Sequence, residues 1–269
     1  MTNPPALFDR AALAAHRARA LPEALFLHEA ARDEVQDRLS MVNRTFTAPA
    51  VVTPFPALWE GFGKIAADSD TLDLQPGAHD LVVHAMCLHW ANDPVGQLIQ
   101  CRRALKPDGL FLAVLLGGQT LNELRAALGE AESRLTGGLS PRVAPMAEIR
   151  DLGALLQRAG LALPVADSVP VTAAYRDLFH LMRDLRAMGE TNALSARRRG
   201  PTRRALFETA NSLYKDHFAT PEGRLPATFD LICLTGWAPD ESQPKPLRPG
   251  SAKARLADAL KVPETRLPD

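Results

Sequence analysis

The side chains best suited to chemistry fall in four short stretches. His84, Cys87, His89 and Trp90 lie close together, and Asp68 closes the run Ile65-Ala66-Ala67-Asp68. Gly117-Gly118-Gln119 follows a long apolar run, and Glu190 and Asn192 sit in Gly189-Glu190-Thr191-Asn192. Histidine and cysteine together invite a metal reading. Their spacing matches neither a zinc ribbon nor a His-x-x-x-His helix pair, and no second cluster supplies the remaining ligands, so no metal is expected. His89 is then either an acid–base group or a packing and hydrogen-bonding one. Read from the residues, Glu190 and Asn192 organise a helix end. No catalytic residue is assigned by these patterns alone.

These residues need a scaffold, and residues 79–118 supply its centre. Asp80-Leu81-Val82-Val83 opens a short apolar strand, and Asn92-Asp93-Pro94 punctuates the segment after it. Pro94 suits the first position of a helix, where its missing N–H would be unpaired anyway. Leu98, Cys101, Arg102 and Leu105 recur at helical spacing, with cations towards the C-terminus. Lys106-Pro107-Asp108-Gly109 is a turn in which Pro107 stops the helix and Gly109 is expected to supply positive φ. Leu110–Leu116 is apolar without alternation, the pattern of a strand covered on both faces of a parallel sheet. Strand, helix and buried strand form one right-handed βαβ crossover. His89 and Trp90 then lie just past the C-terminal end of a strand, the edge where open α/β sheets bind ligands.

Around this centre, residues 6–40 are expected to form helices divided at Pro22. Thr120 is placed to cap a helix over 121–133, and 151–160 is a helix ended by glycine. Residues 164–175 carry strand patterning, 175–188 is an amphipathic helix, and 226–237 is a last strand. Arg197-Arg198-Arg199 with Arg203-Arg204 is the densest basic cluster, either a solvated helix start or a contact for an acidic partner. The expected division is a helical extension over 1–46, an α/β domain over 47–241 with a helical insertion at 175–220, and a proline-rich, extended tail over 242–269.

At 269 residues the chain is long enough for one large α/β core. Thirty-one cationic and 31 acidic residues cancel, so no global field recruits nucleic acid or an anionic membrane. Three dispersed cysteines argue against a disulfide framework and fit a reducing compartment. With no long apolar run and no apolar leader, the expectation is a cytoplasmic protein without a transmembrane segment.

The order Asp-Leu-Val-Val, Leu88-His89-Trp90, Asn92-Asp93, helix, Leu105-Lys106-Pro107-Asp108-Gly109, apolar strand, Gly117-Gly118 resembles strands four and five of class I S-adenosylmethionine (SAM) methyltransferases. Gly117 to Arg125, Asp151–Gly160, Met188–Asn192 and the GW-x-P-x-ESQ-x-KP-x-x-PGSA run near the end of the chain resemble the complex I assembly factor five group and its bacterial relatives. The resemblance implies an α/β, Rossmann-like fold with a mostly parallel sheet and helices on both faces. It implies SAM as cofactor, near Asp68, Met86, Leu88, His89 and Trp90, with Asp68 matching the acidic residue that contacts adenine at the end of strand three. It further implies an acceptor or protein-partner pocket at Gly117, Gly118, Gln119, Glu190, Asn192 and Trp237.

One segment departs from that pattern. SAM methyltransferases place a glycine-rich turn after strand one, where bare backbone approaches the cofactor, and an acidic residue after strand two, which holds the ribose. Here the chain reads Thr47-Ala48-Pro49-Ala50-Val51-Val52-Thr53-Pro54-Phe55-Pro56-Ala57-Leu58-Trp59, with no glycine before Gly61. Prolines remove donors and fix φ, the reverse of what such a turn needs. The interval is also short, so the sheet is expected to be contracted at its first strands and to hold fewer than seven. Trp59 is expected to cap the exposed edge or to anchor a partner. The favoured functional expectation is a non-catalytic assembly or protein-binding factor on this scaffold; the other is an active SAM-dependent enzyme. For a partner site, alanine at both Glu190 and Asn192 is expected to abolish capture without changing the melting temperature.

Overall fold

The computed structural model describes residues 6–244 and 261, which fall into two units with the boundary between Pro239 and Asp240. The first begins with helix α1 (Arg10–Arg17), capped by Asp9, whose Oδ1 accepts from the Ala12 amide at 3.0 Å. Pro22 opens a single 3-10 turn, and α2 (Phe26–Met41) comes next. Its Leu27, Ala31 and Val35 form a buried stripe on the sheet, and His28 is buried with them.

Six strands form one sheet: β1 (Pro49–Thr53), β2 (Lys64–Ala67), β3 (His79–Ala85), β4 (Leu105–Gly117), β5 (Ala162–Tyr175) and β6 (Leu225–Trp237). Their order is β2-β1-β3-β4-β6-β5. β2, β1, β3 and β4 pair in parallel; β6 runs antiparallel to both β4 and β5. This is a mostly parallel α/β sheet, and among the described residues it has fewer strands than seven. β4 shows why its sequence lacks alternation. Leu110, Leu112, Val114 and Leu116 enter one core, while Phe111, Ala113 and Leu115 enter the other. Side chains still point to alternate faces, but both faces are dry. The second face is covered by α3 (Pro94–Ala104) and α5 (Ile149–Arg158), through Leu98, Cys101, Leu152 and Leu156. The first is covered by α2, α4 (Asn122–Thr136), α6 (Leu178–Ala187) and α7 (Arg204–Phe218).

The first crossover is the unusual one. Between Thr53 and Lys64 there is room only for a short 3-10 turn, Pro56–Trp59, where a parallel connection ordinarily carries a full helix. Trp59 is buried under it, edge-on to Phe62 at 5.0 Å, so it is a packing residue and not an exposed anchor. Gly63 ends the crossover at φ +139°; a Cβ there would lie 2.3 Å from the Pro49 carbonyl oxygen. The consequence is a change of neighbour. Ile65–Asp68, expected to end strand three, pairs directly with β1 through Val51↔Ile65 and Val52↔Ala66. Asp68 thus stands beside the first strand, where an acidic residue ending strand two would be.

Two turn assignments change as well. Positive φ falls on Asp108 (φ 56°) and not on Gly109, an αL position that aspartate tolerates better than most residues. Thr120 does not cap α4: its hydroxyl donates to the Gly117 carbonyl at 2.7 Å and accepts from the Asp230 amide, and Leu121 takes the capping position in αL conformation. In the second unit, Ser242 Oγ donates to Asp240 Oδ1 at 2.6 Å. Most of the proline-rich tail expected over 242–269, and most of the motif ending in Ser251-Ala252, lies outside the described residues. Among the described residues no helix is long and apolar enough to cross a membrane.

Candidate functional site

Two cavities open along the C-terminal edge of the parallel strands. The first, of about 210 Å³, is walled by Leu116, Leu121, Leu124, Leu128, Met182 and Phe207, and its polar lining includes the cations Arg142 and Arg186 besides His89, Trp90, Glu190 and Asn192. β3 ends at Ala85, and Met86 turns the chain with φ 53°, its amide donating to the Val114 carbonyl at 2.8 Å. A non-glycine residue in this conformation is strained. The turn delivers Leu88–Trp90 as one 3-10 turn over the sheet edge.

Glu190 is the centre of that polar group. It follows Gly189, which ends the α6 segment at φ +85°, in close approach to the α1 backbone at Arg17. Trp90 Nε1 donates to Glu190 Oε2 at 2.7 Å; His89 Nε2 lies 3.5 Å from the same oxygen, and His28 Nε2 lies 3.6 Å from Oε1. Burial pushes the Glu190 carboxyl up, but the histidines at its oxygens outweigh it and hold the group well below the usual carboxylate range. Burial likewise keeps His28 neutral by lowering its pKa. The cavity therefore holds an ionised carboxylate facing apolar walls. Oε1 faces His28 Nε2 and is itself shut off from solvent. Asn192 is fixed beside it, donating to the Pro141 carbonyl at 2.8 Å and accepting from the Leu194 amide at 2.9 Å.

A loop over residues 137–148 closes one side of this cavity with Arg142, Val143, Ala144 and Met146. Its latch is Glu132, a buried carboxylate on α4 that accepts from the Ser140 amide and hydroxyl and from Arg142 Nε and Nη2. Arg142 first, then Ser140, hold its pKa down at about 2 against the cost of burial. A depressed carboxylate stabilises above its unfolded pKa, here 4.5, and loses that contribution as pH falls towards 2. Glu132→Gln is expected to raise hydrogen exchange in 137–148 by about thirty-fold, the equivalent of losing ~2 kcal/mol of charge-assisted bonding. Unchanged exchange at neutral pH would show that the latch does not hold the loop.

The second cavity, of about 560 Å³, lies at the ends of β1 and β2. Its floor is Thr53-Pro54-Phe55-Pro56, its side Ile65, Ala67 and Asp68, and its roof Arg10, Leu13, Ala14 and Arg17 of α1. Pro54 and Pro56 have no N–H, and the Phe55 amide is already given to Thr53 Oγ1 at 3.1 Å. Asp68 is not a surface turn residue. Its side chain is only 2% exposed, and it binds Arg17 Nη1 through Oδ2 and Arg10 Nη2 through Oδ1 at 3.0 Å. Arg10 Nη2 also donates to the Asp68 carbonyl. Burial alone would push the Asp68 carboxyl up; Arg17 and then Arg10 outweigh it and hold the pKa below the usual range.

The remaining sequence-derived positions divide. Met86 and Leu88 are fully packed, in opposite cores, and line neither cavity. Gly117, Gly118 and Gln119 sit beside the first cavity but face β6: the Gln119 amide donates to Asp230 Oδ2 at 2.7 Å, and Gly118 abuts the same carboxylate. Trp237 does not belong to the site. β6 is antiparallel, so its last residue pairs with Leu110 at the far end of β4, where Arg44 stacks on its ring at 5.5 Å. His84 and Cys87 are spent on each other and on Gln97 in the core. The basic cluster is not simply solvated: Arg197 and Arg199 pair with Asp9 at 2.9 and 3.5 Å and brace the start of α1. The residue that sequence reasoning missed is His28. Its signal was a polar residue one turn from Ala31 on an otherwise apolar stripe.

Comparison with known proteins adds to this geometry. A methyltransferase domain model matches residues 41–113. The chain is 34% identical over 253 residues to "Arginine-hydroxylase NDUFAF5, mitochondrial" of Danio rerio, covering 94% of this chain and 73% of that protein. It is 43% identical over 180 residues to the protein of the same name in Dictyostelium discoideum, spanning 66% of this chain and 41% of that one. Among solved structures, the YcgJ protein of Bacillus subtilis aligns with a TM-score of 0.47 at 12% identity, covering 77% of this chain and 97% of that one.

Proposed function

Since the chain belongs to the family of arginine-hydroxylase NDUFAF5, built on a class I methyltransferase fold, we propose that it is a member that holds a protein partner without using SAM. The observation that carries this reading is the pairing of Asp68 with Arg10 and Arg17. A carboxylate beside the first strand would have to offer free oxygens to the ribose hydroxyls. Here both oxygens are engaged, and breaking a buried pair to free one leaves an uncompensated charge. The loop below adds to the misfit, since residues 54–56, two prolines and an engaged amide, offer no free backbone donor for the cofactor's methionine end. The residues present do not fit SAM.

The partner reading rests on the first cavity. Glu190, held ionised among apolar walls and beside Arg142 and Arg186, which also line the cavity, is the anionic group there for a cationic head on an aliphatic stem. The relatives' name makes the arginine side chain of a partner the first candidate. Titration calorimetry of the purified protein with SAM and with S-adenosylhomocysteine is expected to give no heat up to about 1 mM ligand. Low-micromolar binding of either would overturn the SAM-free reading and return the chain to the enzymes that use this cofactor.

A further inference from the structure

We propose that the exposed rim of the first cavity reads acidic residues of the partner protein: Arg19 and Arg186 take carboxylates that flank the arginine inserted towards Glu190. The inference rests on the arginine reading of that cavity and adds the sequence around the arginine. Arg186, in the last turn of α6, is exposed and also lines the cavity, so it stands at the mouth. His16, in the last turn of α1, ties a second exposed arginine to the same place: Arg19 Nη2 lies 2.9 Å from His16 Nδ1. Burial first, then the charges of Arg19, Arg197 and Arg186, hold the imidazole below its usual pKa. Three guanidiniums thus stand near one ring, which also meets the backbone of Asn192 at the cavity wall.

These arginines gather without matching acids, in a chain whose cations and acids balance overall. The carboxylates nearby are already met: Glu132 by Arg142, and Asp9 by Arg197 and Arg199. Arg19, Arg186 and Arg198 meet no carboxylate among the described residues, and all three are exposed. Burial divides the charges into two roles. Glu190 is buried and selects one cation; the rim outside repels a surface rich in lysine and arginine and holds one carrying carboxylates. A nucleic acid would bring the same negative charge, but its bases need aromatic platforms. Among the described residues no Phe, Tyr or Trp is exposed. The patch therefore fits an acidic protein segment.

The test is titration calorimetry of the wild-type protein with one peptide series. A central arginine is flanked on both sides by aspartate, alanine or lysine, and each peptide is also made with citrulline, the uncharged analogue, at the centre. The aspartate-flanked arginine peptide is expected to bind about tenfold more tightly than the alanine-flanked one. The lysine-flanked peptide is expected to be weakest, and the spread to shrink between about 0.05 and 0.5 M salt. Arg19→Glu combined with Arg186→Glu, both at exposed positions, is expected to reverse the order of the aspartate and lysine peptides. Flanks that make no difference overturn the proposal, as does an unchanged order in the folded double variant or a poly-uridine RNA that outbinds the aspartate peptide. If the double variant does not fold, the wild-type flank and salt series decides. The citrulline set separates the two readings. Arginine preferred over citrulline with no effect of the flanks overturns the rim alone; an effect of the flanks with arginine and citrulline equal overturns the cavity reading alone.

Discussion

Asp68→Ala is expected to destabilise the protein by about 3–5 kcal/mol, the usual cost of removing one partner from a buried ion pair. The size reflects the two cations left behind. Arg17 is nine-tenths buried and Arg10 is 23% exposed, so neither guanidinium gains full hydration when the carboxylate goes. For a chain of this length the loss corresponds to about 10 °C in melting temperature. Asp68→Asn, which keeps oxygen and shape but not charge, should fall between. A cycle with Arg17→Met separates the pair from the packing: Arg17→Met combined with Asp68→Ala is expected to be more stable than Asp68→Ala alone, because it removes the stranded cation. The pH dependence has a definite sign. The folded pKa of Asp68 lies below its unfolded value of 3.8, so its contribution is complete above that value and is lost as pH falls below it. Urea unfolding at neutral pH measures the effect. A loss below about 1 kcal/mol would mean that the pair behaves as an exposed salt bridge, and that Asp68 does not bind α1 to the sheet edge.

That prediction was not legible in the sequence, and the reason is physical. Ile65-Ala66-Ala67-Asp68 announces a strand ending in an acid, but which strand it neighbours depends on the length of the crossover before it. Shortening that crossover to one 3-10 turn brings β2 against β1 and moves Asp68 to a different job. Its partners come from 51 and 58 residues earlier in the chain, and arginines on a surface-patterned helix look alike whether they meet water or a carboxylate. Local chemistry was far more readable. The proline start of α3 and the apolar run of β4 follow from backbone preferences and burial on both faces, and both stand in the structure. Trp237 shows the boundary between the two kinds of inference: its strand was evident, but its end of the sheet was set by the antiparallel direction of β6. Glu190 and His89 were picked from separate motifs, and the fold brings them together across 101 residues. His28, which completes the group, carried only the faint mark of a polar residue on an apolar stripe.

For the partner cavity, Glu190→Gln is expected to weaken binding of an arginine-containing peptide by about thirty-fold or more, since truncating one side of a buried charge pair costs 2–5 kcal/mol. Glutamine is the informative replacement. It leaves an oxygen for the Trp90 indole N–H, now at 2.7 Å from Oε2, and so preserves the wall of the cavity. Alanine does not: it strands that buried donor and should cost about 1–3 kcal/mol of stability by itself. The double alanine change at Glu190 and Asn192 is therefore not silent for folding, contrary to what the motif alone suggested. The control on the ligand side is citrulline in place of arginine, nearly the same shape without the charge. The wild type should prefer arginine strongly, and Glu190→Gln should not distinguish the two. The preference should persist well below pH 4.5, because a carboxylate held under its ordinary range stays ionised there. Equal binding of citrulline and arginine by the wild type would remove Glu190 as the determinant and leave the cavity as an apolar pocket only.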